Sequence, residues 1–142
     1  MNIFSFSAEF DSEEACRFHF KQERDKLGVV CKCGSTEHYW LKSKWSYQCK
    51  SCSYRTSLRM GTVMQSSKLS FLIWYKTMFL MTATKKGFSS KEIQKQLGLK
   101  RYEPVWAMVH KLRKAMGNRD AKYTLEGMIE MDEGYFTVEA SE

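Results

Sequence analysis

Four of the chain's five cysteines fall into two tight pairs, Cys31 with Cys33 and Cys49 with Cys52, and fifteen residues separate one pair from the other. Thiolates are soft ligands, and two close pairs divided by ~15 to 20 residues are a common way for a small ribbon to set four sulfurs around one tetrahedral zinc. The first pair is C-x-C where C-x-x-C is usual, so its chelate is one residue tighter. Zinc on Cys31, Cys33, Cys49 and Cys52 is the leading expectation. His38 in place of a cysteine, an empty site, or disulfides are the alternatives. Disulfides are disfavoured because residues 1–10 lack the basic start and unbroken apolar run of a secretory leader. With four protein ligands and no open position, such a metal would be structural.

The elements that must position these sulfurs are short. His38 to Lys42, Trp45 to Lys50 and Tyr54 to Leu58 read as three antiparallel strands rich in aromatic residues. They bury too little to persist alone, and a structural metal would supply the missing free energy, on the order of 10 kcal/mol. Tyr39, Trp40, Trp45, Tyr47 and Tyr54 could offer faces for base stacking, but strand alternation turns half of them inward, so core is the default. Ahead of the strands, Asp11 to Lys26 reads as a helix, with Asp11 and Glu14 spaced as a capping box and Ala15, Phe18 and Cys16 facing inward. Cys16, alone on that apolar stripe, reads as a small buried hydrophobe.

After Gly61 the period changes to that of helices. Ser67 to Thr84 carries apolar residues most of the way round, which predicts a helix buried by others. Ser89 and Glu92 make a capping box for a short second helix that stops at Gly98. Pro104 suits the first turn of a third, whose stripe Val105, Met108, Val109, Leu112 and Met116 should be buried and which Gly117 should end. A short middle helix and a tight turn before the third are the arrangement of a helix-turn-helix. In that arrangement Lys100, Arg101 and Tyr102 would meet base edges, while Lys85, Lys86, His110, Lys111, Arg113 and Lys114 would meet phosphates.

Charge distribution agrees with a polyanionic partner. The whole chain carries +7, but residues 27–122 hold nineteen bases and four acids, a net of +15, between two acidic ends. Basic surface interleaved with Tyr and Trp favours nucleic acid over a membrane. The richest apolar stretch, Leu69 to Ala83, is interrupted by Lys76 and falls short of the ~20 residues that span a bilayer, so a cytoplasmic protein is expected. The final segment places Glu130, Asp132 and Glu133 in an alternating, strand-like run, and carboxylates leaving a strand are suited to Mg2+.

The order of these parts resembles bacterial insertion-sequence transposases with an N-terminal zinc ribbon. The resemblance rests on the ribbon ending in Tyr54-Arg-Thr-Ser-Leu-Arg-Met-Gly-Thr-Val-Met, on Lys100-Arg-Tyr-Glu-Pro-Val-Trp, and on Glu130-Met-Asp-Glu. It implies an α+β chain: an N-terminal helix over residues 1–26, a zinc ribbon over 27–64, a three-helix helix-turn-helix domain over 65–122, and over 123–142 the first strand of an RNase H-like domain. It also implies that Asp132 is the first carboxylate of a DDE-type triad, which uses Mg2+ for in-line attack on DNA phosphodiesters. The chain ends ten residues after Asp132. The expectation is therefore the DNA-binding part of such an enzyme, truncated and inactive alone, with double-stranded element ends as partner and a homo-oligomer on DNA as an option. A zinc-ribbon helix-turn-helix transcription regulator and a zinc-stapled protein-interaction module are the rival readings.

Overall fold

The computed structural model describes residues 1–83 and 87–122. These form five α-helices and one three-stranded antiparallel sheet, in the order α1 (Ile3–Glu9), α2 (Glu13–Leu27), β1 (His38–Leu41), β2 (Ser46–Cys49), β3 (Arg55–Ser57), α3 (Phe71–Ala83), α4 (Ser90–Gln96) and α5 (Glu103–Asp120). A 3-10 turn, Lys42–Lys44, joins β1 to β2. Asp132, with Glu130 and Glu133, lies outside the described residues, as do Lys85 and Lys86.

The three expected strands form, each trimmed at its ends. Helix α1 answers to no periodicity, because seven residues hold barely two turns. It is fixed locally by Asn2 and Ser5, which cap each other's backbone N–H groups, and by Phe6, which is buried and stacks on Phe79 of α3 at 4.5 Å. Helix α2 starts later than the Asp11 box predicts. Ser12 is the N-cap, its Oγ accepting from the N–H of Ala15 at 3.2 Å. Packing on α3 selects the buried stripe: Cys16 is fully buried and Phe20 packs on Phe71, whereas Phe18 is 55% exposed.

The sheet lays one face against α2. In the β1–β2–β3 register Trp40, Tyr47 and Thr56 lie directly across from one another, and Tyr47 and Thr56 are buried. Tyr47 donates its hydroxyl to Asp25 Oδ1 at 2.6 Å. Arg24, also on α2, reaches the carbonyls of Ser57, Leu58 and Met60 just past β3. One arginine thus satisfies three backbone acceptors where the ribbon turns toward the helices, and such charge-assisted bonds are roughly twice as strong as neutral ones.

Helix α3 begins at Phe71, four residues later than its sequence pattern suggests. Ser67 is occupied elsewhere, its Oγ accepting from the N–H of Leu69 and from Trp74 Nε1. Trp74 is fully buried, and of the ten residues from Phe71 to Leu80 Lys76 alone is exposed, in line with a helix surrounded by others. The predicted capping box at Ser89 and Glu92 is present, with the Ser89 N–H donating to Glu92 at 2.7 Å. In α5, Val105, Met108, Val109 and Leu112 are buried as predicted, but Met116 is exposed and the helix runs through Gly117 to Asp120. A glycine on an exposed helix face costs only about 1 kcal/mol, too little to stop a helix already docked by four buried side chains. A single apolar cluster joins Phe6 and Phe10, Cys16, Tyr47, Trp74 and Val109, drawing on the N-terminal helices, the sheet and α3–α5 together. Among the described residues no helix is long and apolar enough to cross a membrane.

Candidate metal centre and nucleic-acid interface

The four predicted cysteines converge. Their sulfurs all lie within 4.8 Å of one another, with Cys31 to Cys52 at 3.4 Å and Cys33 to Cys49 at 3.6 Å. These separations are well beyond the roughly 2.05 Å of a disulfide bond, and all five cysteines are free thiols. The group could hold a metal ion. His38 is not a member: its Nδ1 lies 3.0 Å from the carbonyl oxygen of Thr36, and it stands outside the sulfur cluster.

The short first knuckle is accommodated by its backbone. Gly34 N–H donates to the Cys31 carbonyl at 2.9 Å, and Ser53 N–H donates to the Cys49 carbonyl at 3.1 Å. Cys31 N–H donates to Ser35 O, and Cys49 N–H to Tyr54 O, both at 2.9 Å. The two knuckles therefore close with the same pair of hydrogen bonds, each one residue shorter in the first. Both turns need a left-handed residue after the second cysteine, and Gly34 (φ 86°) and Ser53 (φ 58°) supply it. Glycine does so freely, while a serine there costs about 1 to 2 kcal/mol.

The thiols are unequal. The backbone N–H of Cys52, helped by that of Ser51, donates to the Cys49 sulfur and pulls this thiol down to about 6. The N–H of Tyr54 acts the same way on Cys52, but its hydrogen bonds with the Cys31 and Cys33 sulfurs prevail and push it up to about 12. Four thiolates this close would repel one another, a conflict that a bound cation would resolve. Cys16 is apart from this group. Burial, then the charges of Glu13 and Asp11, push its thiol up to about 11.

The second predicted site lies on α5 and the turn before it. Gln94 Nε2 donates to the carbonyls of Leu99 and Lys100, at 3.0 and 3.4 Å, and braces that turn from α4. Lys100, Arg101 and Tyr102 are exposed at the N-terminal end of α5, and His110, Arg113 and Lys114 are exposed along it. Two of the predicted cations are tied to the protein's own backbone. Lys111 Nζ reaches Gln65 O at 2.6 Å and Arg113 reaches Phe88 O at 3.1 Å, so both also fasten α5 in place. Lys111 and Lys114 border an open groove of about 470 Å³ against the Thr62–Ser66 segment.

Trp106, absent from the predicted set, is 49% exposed on α5 with its ring 4.1 Å from that of His110. A tryptophan just outside the buried stripe was the available signal. Residues 87–122 carry nine Lys and Arg against three carboxylates, and among the described residues none of those cations forms an ion pair. Compared with family models, with curated proteins and with solved structures, the chain gives no match.

Proposed function

We propose that this chain binds double-stranded DNA in a sequence-specific manner, with α3–α5 acting as a helix-turn-helix and α5 as its reading helix. The observation that carries the reading is the unpaired positive surface of α4 and α5, with Lys100, Arg101 and Tyr102 grouped where a reading helix presents its first residues to the major groove. Trp106 and His110 extend that surface with aromatic faces.

The ion held by Cys31, Cys33, Cys49 and Cys52 is proposed to be zinc and the β1–β3 unit a zinc ribbon. A Zn–S bond of about 2.3 Å in a tetrahedron places sulfurs roughly 3.8 Å apart, inside the spread of separations the quartet has. The metal's part is to staple the sheet under α2, and the role follows from four sulfur ligands with no open position.

The resemblance to insertion-sequence transposases supports one biological setting, recognition of transposon ends. The strand-cleaving chemistry it implies would begin at Asp132 with Mg2+, and the proposal for residues 1–122 is the binding step. The test is a titration of zinc-loaded protein into fluorescent 30-base-pair duplexes at several salt concentrations. The reading expects affinity to fall linearly with salt on logarithmic axes, with a slope of about −0.9 for each phosphate contact. Duplex binding that is absent even in dilute salt would instead favour a metal-stapled protein-interaction module.

A further inference from the structure

The sheet has a second face. Residues Trp40, Tyr47 and Thr56 point to α2, so their neighbours Tyr39, Gln48 and Arg55, which are also directly paired across the three strands, form a transverse row on the opposite side. Tyr39 is 59% exposed, Arg55 is exposed and Gln48 is half-buried. Among the described residues neither the Gln48 amide nor the Arg55 guanidinium has a hydrogen-bond or ion-pair partner. Lys50 lies over the Tyr39 ring at 5.4 Å, which sets positive charge on the same face. Between Cys31 and Arg59 there are six Lys and Arg and one carboxylate, Glu37, which is itself paired with Lys50 at 3.4 Å.

We infer that this outer face is a second DNA-reading surface, a β-ribbon for the major groove, in which Gln48 and Arg55 read neighbouring base pairs while Tyr39 and Lys50 contact the strand beside them. The inference rests on the DNA-binding reading and adds a contact on an element other than α5. Its chemistry is specific. The guanidinium fork fits O6 and N7 of guanine, the amide fits N6 and N7 of adenine, and both come from the β2–β3 pair, a two-stranded ribbon of the width the major groove admits, with β1 and Tyr39 at its flank. Residues paired across strands lie roughly 4.5 to 5.5 Å apart, close enough for two side chains to converge on successive base pairs. Structural duty does not explain the row, because the face buried against α2 is the one that holds the sheet.

The test is selection from a pool of 30-base-pair duplexes with a randomised centre, using the full zinc-loaded chain and its Gln48→Ala, Arg55→Ala and Arg55→Lys variants. The inference expects the parent to select a site in which one G and an adjacent A lose roughly tenfold of their preference in Arg55→Ala and Gln48→Ala respectively, other positions being unchanged. Arg55→Lys keeps the charge and loses the fork, so it should keep affinity and lose the G. Variants that select the parent's site, or that weaken on all sequences alike, would overturn the inference and leave the α5 reading standing. Tighter binding of this face's variants and parent to single-stranded DNA or RNA than to duplex would overturn it as well. A parent that enriches no duplex at all would overturn both readings.

Discussion

Glu13, the first residue of α2, accepts the backbone N–H of Leu72 at 2.8 Å, fifty-nine residues away in the chain. Its other oxygen takes the N–H of Phe71 at 3.1 Å and Arg17 Nε at 3.0 Å. The N-terminus of a helix leaves its first N–H groups without partners, and here a carboxylate from another helix supplies them and complements the dipole. Ser70 Oγ accepts the N–H of Ile73, so the cap of α3 is shared between a local residue and a distant one. Glu13→Ala should cost about 1 to 3 kcal/mol in urea unfolding, because two partly buried donors lose their acceptor. Glu13→Gln, which keeps one acceptor oxygen, should cost less, and equal losses in the two variants would contradict this role.

The two knuckles predict opposite effects for Ser53→Gly and Cys33→Ser. Ser53→Gly should stabilise the metal-loaded protein by about 1 kcal/mol, since Ser53 sits at φ 58° where the corresponding residue of the first knuckle is Gly34. Cys33→Ser should abolish retention of stoichiometric metal through gel filtration, and with it the near-ultraviolet dichroism of Trp40 and Tyr47. Cys16→Ala should retain one equivalent. Metal analysis and near-ultraviolet dichroism of the two cysteine variants, and urea unfolding of Ser53→Gly, each beside the parent, check these outcomes.

Cys16 makes a prediction about alkaline pH. Its thiol is raised to about 11 from an ordinary 9.0, chiefly by burial, so the folded state resists forming the thiolate. The stability this contributes is fully present below pH 9 and is lost as pH rises from 9 through 11. Urea unfolding from pH 8 to 11 should therefore decline less steeply in Cys16→Ala than in the parent. The same burial should leave Cys16 unalkylated by iodoacetamide at pH 8 until the chain unfolds.

Cations on α5 should separate into two kinds. Lys100→Ala and Arg101→Ala should weaken duplex binding and relax its sequence preference, whereas Lys114→Ala should flatten its salt dependence by about 0.9 per lost phosphate contact, all three leaving unfolding within roughly 0.5 kcal/mol of the parent. Lys111→Ala and Arg113→Ala should lower stability as well, because their side chains hold the carbonyls of Gln65 and Phe88. Asp132→Ala should bind DNA like the parent. A loss of binding there would join two roles that the account keeps apart.

What was legible in the sequence was carried by short-range chemistry. The Ser89–Glu92 box, the sulfur pairs and the Val105–Leu112 stripe each depend on residues within a few positions of one another, and each is found where it was expected. Long-range partners were not legible. The Glu13 cap on α3 and the three carbonyls of Arg24 depend on which helices meet, and that choice leaves no local spacing to read. Helix α2 shows a closer failure. Its cap is Ser12 and not Asp11, and its buried side is the one that meets α3 through Cys16 and Phe20, which leaves Phe18 in solvent. The four-sulfur site was legible despite its missing residue because thiolate chemistry tolerates a turn shortened by one, provided Gly34 follows.

The most direct measurement is amide mapping by nuclear magnetic resonance on the nitrogen-15-labelled, zinc-loaded chain, titrated with a duplex in physiological salt. The account predicts shifts that gather at Lys100, Arg101 and Tyr102, along Trp106, His110 and Lys114, and at Gln48 and Arg55 on the outer face of the sheet, with Cys16 and Trp74 unmoved. A titration that leaves the α5 surface unchanged would contradict the central claim that this helix reads DNA.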